Sequence, residues 1–89
     1  MAIQRAAQAG SLESCDALIQ IEPATALTIE VKSDAAAQFG NTIKNTVEAT
    51  LAELGEKTVK VQVTDRGALD YTLRARVRVA VARAREAKS

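Results

Sequence analysis

Apolar and polar positions alternate along this chain, and the period of the alternation changes from one segment to the next. Leu12, then Leu18, Ile19 and Ile21, flank a polar break, Glu13-Ser14-Cys15-Asp16. That pattern predicts two short strands joined as a hairpin, with Ser14 at its tip. Pro23 ends the second strand because it has no N–H to give a ladder. Leu27, Ile29 and Val31 alternate with Thr28, Glu30 and Lys32, the period of a strand with one buried face. Ser33-Asp34 then opens a helix, Ser33 capping its free N–H groups and Asp34 sitting in the positive field of the first turn. Ala36, Phe39, Ile43, Val47, Leu51 and Leu54 recur at helical spacing and predict its apolar face. Gly40 lies inside this helix at a cost of about 1 kcal/mol relative to Ala, and Gly55 stops it.

Val59, Val61 and Val63 predict another strand, and Asp65-Arg66-Gly67 a turn in which Asp65 is a candidate N-cap. The segment from Ala68 to Lys88 reads two ways. Arg74 to Val81 alternates like a strand, whereas Leu69, Leu73, Val77, Ala80 and Ala84 lie on one helical face. Length, Ala and Arg content and the lack of Pro decide for helix. On it Arg74, Arg78 and Arg85 share an outer face, and Asp70 supports Arg74 one turn on. The predicted order is β-β-β-α-β-α. The fold class is α+β, a small mostly antiparallel sheet with two helices packed on one face. Residues 1–89 form a single domain, with 1–8 a frayed or loosely paired start.

Composition narrows the function more than it names it. The chain has 89 residues, 47% of them hydrophobic and 26% charged, which excludes a disordered segment. A domain of this size buries only roughly 60–65% of its unfolded surface. Phe39 and Tyr71 are the two aromatic residues, so small and branched side chains must build the core. Residues 1–65 carry five bases and nine acids, and residues 66–89 seven bases and two acids. The basic C-terminal end is either a solvated helix face or a dock for acidic partners. One cysteine, Cys15, makes no internal disulfide, and neither an apolar leader nor a membrane-length apolar run is present, so a cytoplasmic protein is expected.

Ser14 and Cys15 are the nucleophile candidates, but with no histidine in the chain neither has its usual base. Glu13 and Asp16 beside them would raise a thiol pKa rather than lower it. Scattered carboxylates and one Cys give no metal-ligand spacing, and glycines at 10, 40, 55 and 67 make no phosphate-cradling loop. Catalytic residues and metal ligands are therefore expected to be none. Nucleic-acid binding through the Arg-rich helix is the alternative, weakened by near-neutral net charge and few aromatics to stack on bases. What remains is a modification of Ser14 by an outside enzyme, for which an exposed turn suits.

Three blocks sharpen that reading. Gly10-Ser11-Leu12-Glu13-Ser14-Cys15-Asp16, then Gln38-Phe39-Gly40, then Asp65-Arg66-Gly67-Ala68-Leu69-Asp70 with Leu73-Arg74-Ala75-Arg76, resemble the acyl carrier proteins of citrate lyase, its gamma chains. The resemblance runs from about residue 9 to 85. It implies a non-catalytic carrier subunit. In that family the serine matching Ser14 carries 2′-(5″-phosphoribosyl)-3′-dephospho-coenzyme A through a phosphodiester. The arm's thiol holds acetyl and citryl thioesters for two partners, the alpha (acyl transferase) and beta (lyase) subunits, after an arm-transferring enzyme has loaded it. Citramalate lyase and malonate decarboxylase use a similar arm. Cys15 stands where another small residue is expected, either as an isostere or as a second thiol that exchanges acyl groups. Glu13 and Asp16 are either guides for the loading enzyme or ordinary turn acids. Arg74 and Arg78 are either docking residues or a solvated face.

Overall fold

The computed structural model describes residues 3–33 and 36–86. Its elements are β1 (Ala7–Gly10), β2 (Ala17–Pro23), β3 (Thr28–Ser33), α1 (Ala36–Glu53), β4 (Val59–Asp65) and α2 (Asp70–Arg85). The strands lie in the order β1-β2-β4-β3. β2 runs antiparallel to both β1 and β4, while β3 and β4 are parallel. The sheet is thus mixed, with two antiparallel pairings and one parallel. The parallel pair arises because α1 carries the chain back across the sheet, as a crossover between parallel neighbours must.

Strand alternation sorts the sheet into two faces. Ile19 lies beside Val63 and Ile21 beside Val61, and all four are buried under the helices. Ile29 and Val31 continue these rows on β3, half-buried. The opposite face carries Gln8, Gln20, Gln62 and Glu30 across the four strands, with Gln62 Nε2 donating to Glu30 Oε1 at 3.2 Å. Polar side chains on that face let it stand in water without a covering layer. Both helices pack on the apolar face and against each other. Ile43, Val47 and Leu51 of α1 and Leu73, Val77, Ala80, Val81 and Ala84 of α2 are buried there. This is the α+β arrangement the periodicity predicts.

The differences are local. The first strand is not built around Leu12, which is 53% exposed in the loop. It lies upstream at Ala7–Gly10, where small residues let α2 approach closely: Ala9 is buried. Within the stretch expected to be loose, Ile3 is buried and Gln4 N donates to Ala84 O at 2.9 Å, so α2 holds it. Ser33 ends β3, and its hydroxyl donates to Asp65 Oδ2 at 3.1 Å; the residues between it and α1, where the expected cap falls, lie outside the described ones, Asp34 among them. Phe39, expected in the core, is 49% exposed, at the solvent-facing start of α1. Asp65 caps no helix: the N-cap of α2 is Leu69, with no side-chain cap bond. Asp65 instead accepts from Gly67 N (3.2 Å) and Ala68 N (3.0 Å), closing the turn between β4 and α2.

Candidate functional site

Ser14 sits in the β1–β2 connection, exposed on a tight turn in which Asp16 N donates to Glu13 O at 3.2 Å. The turn places Cys15 at φ 66°, a left-handed conformation in a residue with a Cβ. That conformation costs about 1–2 kcal/mol and persists only where surroundings fix it. They do: Cys15 N donates to Arg66 O at 2.7 Å, and Arg66 N donates to Asp16 O at 2.9 Å. The turn after β4 therefore grips the residues immediately following Ser14. Cys15 itself is an exposed free thiol.

Asp16 organises the rest of the loop. Its Oδ1 accepts from Ala17 N (2.8 Å) and Arg76 Nε (2.8 Å). Its Oδ2 accepts from Ser11 Oγ (2.7 Å) and Arg76 Nη2 (3.3 Å). Ser11 Oγ in turn accepts from Glu13 N at 3.2 Å. The fork from Arg76, helped by the Ser11 hydroxyl and the Ala17 amide, holds the Asp16 carboxyl far below the ordinary carboxylate range. At neutral pH it is a fixed anion that stitches the loop to α2. Gly10 completes the frame at φ 96°: a Cβ there would stand 1.8 Å from Ala17 O and 3.2 Å from Arg76 Cδ.

Gly10, Ser11 and Asp16 of the motif thus shape the loop, while Ser14 is left outward. Glu13 is also exposed. Sequence reasoning alone misses the part that Gly10, Ser11, Arg66 and Arg76 take in presenting Ser14. Gly10 was the legible signal, since a glycine at a strand end permits a close approach. The Arg76 and Arg66 contacts join residues too far apart in the chain for periodicity to pair.

The α2 arginines are engaged with the chain itself. Arg74 binds Asp70 (2.8 Å) and approaches Glu53 (3.8 Å), and Arg78 binds Glu53 at 3.2 Å. Each of Asp70 and Arg74 stabilises the other's charged form, lowering the acid's pKa and raising the base's. Arg83 donates to Gln8 O at 2.9 Å. Arg85 reaches Glu56 at 2.7 Å and also Leu54 O at 2.5 Å, with Glu56 only 4% exposed. The outer stripe is a set of clamps between α2 and the end of α1. Among the described residues there is no metal-competent cluster of His, Cys, Asp or Glu, and no helix is long and apolar enough to cross a membrane.

Comparison with known proteins places the chain in a family. Residues 4–84 match the sequence model of a carrier family described as malonate decarboxylase delta subunit (MdcD). The citrate lyase acyl carrier protein of Halothermothrix orenii is 45% identical over 85 residues, 94% of this chain and 90% of that protein. The one from Lacticaseibacillus casei is 46% identical over 90 residues, 100% of this chain and 89% of its own length. A chain in the crystal structure of a Pseudomonas malonate decarboxylase hetero-tetramer superposes with a TM-score of 0.76 at 18% identity, covering 89% of this chain and 82% of that one. That last likeness speaks for the fold alone. A small α+β carrier domain is the class that fold and sequence define. The chain belongs to the acyl carrier family that includes the citrate lyase carriers, and it is a non-catalytic carrier rather than an enzyme.

Proposed function

We propose that Ser14 is the attachment point of a phosphoribosyl-dephospho-coenzyme A arm, and that this chain is the carrier subunit of a citrate lyase in the cytoplasm. The observation that carries the reading is the division of labour in the loop. Every polar motif residue around Ser14 except Glu13 is tied into the fold, and Ser14 is exposed on a turn whose next two residues, Cys15 and Asp16, are held by the Arg66 backbone and by the Arg76 side chain. Loading forms an Oγ–P bond and breaks the bond from that phosphorus to its leaving group. The proton of the hydroxyl goes to a base on the loading enzyme, since this chain has no histidine to accept it.

The carrier's contribution is then reach and tethering. An arm fixed at Ser14 presents its thioester to an alpha subunit, which exchanges acetyl for citryl, and to a beta subunit, which cleaves the citryl thioester. Tethering raises the local concentration at each site to about the millimolar range for short linkers, without any acid–base work by the carrier. The identity of 45–46% to named citrate lyase carriers over nearly the whole chain favours citrate as the cargo.

The test is reconstitution with the alpha and beta subunits and the loading enzyme. The wild-type chain supports citrate cleavage and the Ser14→Ala chain does not, although it folds with the same midpoint. Full activity of Ser14→Ala would remove the assignment. Salt-sensitive binding of the unloaded chain to nucleic acid would favour the rival reading through α2.

A further inference from the structure

Beside the Ser14 loop lies a groove of about 420 Å³ whose lining, the Arg66 backbone apart, the proposed function does not use. It runs between the end of β3, the first turns of α1, the turn after β4 and the start of α2. Phe39, Ile43 and Leu73 give it apolar surface, and Arg66, Asp65 and Asp70 lie along it. Its volume is within the ~300–1,000 Å³ of small-molecule sites.

We propose that this groove binds the heteroaromatic base of the nucleotide borne by Ser14. The inference rests on Ser14 carrying a nucleotide arm. Three observations lead to it. The first is proximity: Cys15, the next residue after Ser14, donates its amide to the carbonyl of Arg66, which lines the groove. Anchor and rim are one residue and one hydrogen bond apart. The second is the surface offered. Phe39 is the chain's only phenylalanine, and half of it is left uncovered at the groove although its helix had an apolar core to bury it in. A flat ring face is what a purine stacks on, and such stacking needs no sequence-specific contact.

The third observation is the arrangement of charge. Arg66 is the cation of the lining and stands on the side of the Ser14 turn, where a phosphodiester begins. Asp65 and Asp70 stand further along, each hydrogen-bonded to its own chain. An anionic linker is repelled by the two carboxylates, while an uncharged ring is not. The groove therefore fits an uncharged base tethered through phosphate, and it excludes the arm's pyrophosphate. The base is parked while the distal thiol end remains outside, free to reach partner sites.

The experiment compares loaded and unloaded chains by NMR, with intact mass reporting loading. Because Phe39 is the sole phenylalanine, its ring signals identify themselves. In the loaded chain they shift and show cross-peaks to the base protons. In a loaded Phe39→Leu chain, which keeps apolar cover without a flat ring, those cross-peaks vanish and the base protons relax like those of a free nucleotide. Phe39 signals that coincide in loaded and unloaded chains would overturn the groove assignment and leave the carrier role intact. A wild-type chain that gains no mass with the loading enzyme would overturn the carrier reading, and the groove assignment with it.

Discussion

Replacing Gly10 by alanine should damage this protein far more than a methyl group usually does. A left-handed backbone costs a Cβ-bearing residue about 1–2 kcal/mol. At Gly10 the new Cβ would also lie 1.8 Å from the carbonyl oxygen of Ala17. That oxygen accepts the Ser11 amide at 3.2 Å, the bond that closes the loop. Relieving the clash means moving backbone in the β1–β2 pair, for which overpacking strain of about 1–3 kcal/mol and a lost hydrogen bond of about 1 kcal/mol are reasonable. The expected loss is about 3–6 kcal/mol. A domain of this length is worth only about 5–13 kcal/mol in all. Thermal unfolding followed by circular dichroism should show Tm lowered by at least about 12 °C, since each kcal/mol moves Tm by about 4–8 °C at this size. Gly67→Ala is the control. Gly67 has φ 90° but open space where the Cβ would go, so only the conformational cost of about 1–2 kcal/mol applies. If the two variants lose equal stability, or if Gly10→Ala melts within about 4 °C of the parent, the close approach described for the Ser14 loop is wrong.

Other outcomes follow from the same contacts. Asp16→Asn should destabilise the chain at pH 7. Because the Asp16 pKa is lowered on folding, its contribution is complete above the unfolded value of 3.8 and fades as pH falls through the folded value. The gap between parent and variant in urea midpoints should therefore be constant from pH 7 to about 5 and narrow below about 4. A gap that widens in acid would contradict the assignment. Glu56→Gln removes the nearly buried partner of Arg85, which is itself 24% exposed, and should lose about 2–3 kcal/mol by urea denaturation. A loss under about 0.5 kcal/mol would class the pair with surface ion pairs. Arg76→Gln should slow loading of Ser14 as well as lower the unfolding midpoint, whereas Glu56→Gln should lower the midpoint and leave loading unchanged. Equal loading rates in the two would show that the Arg76 clamp has no part in presenting the serine.

Periodicity carried most of the fold. The valines of β4 and the aliphatic residues of β2 and α1 declare their elements because burial on one face leaves a repeat of two or of three to four. α2 was the harder case, since Arg74 to Val81 alternates like a strand, and length resolved it correctly. The first strand escaped because Ala7 to Gly10 has no branched side chain and its burial comes from close approach of α2. The parallel pairing of β3 with β4 is a matter of topology, which alternation alone does not encode. At the site, the outward turn at Ser14 was legible from its polar run between apolar ones. The Arg76 fork to Asp16 and the Arg66 pairing join residues some fifty to sixty positions apart, so only the folded chain reveals them. Arg74, Arg78 and Arg85 read as an open basic face for the same reason, since their partners Glu53 and Glu56 belong to another helix end.

The most direct measurement is tandem mass spectrometry on the protein isolated from its native host, with fragmentation that retains labile groups. A peptide covering the β1–β2 loop bearing the mass of a phosphoribosyl-dephospho-coenzyme A group on Ser14, and unmodified Ser11 beside it, is the result expected. A fully active carrier whose loop peptide is unmodified, or whose group sits on another residue, would contradict the account at its root.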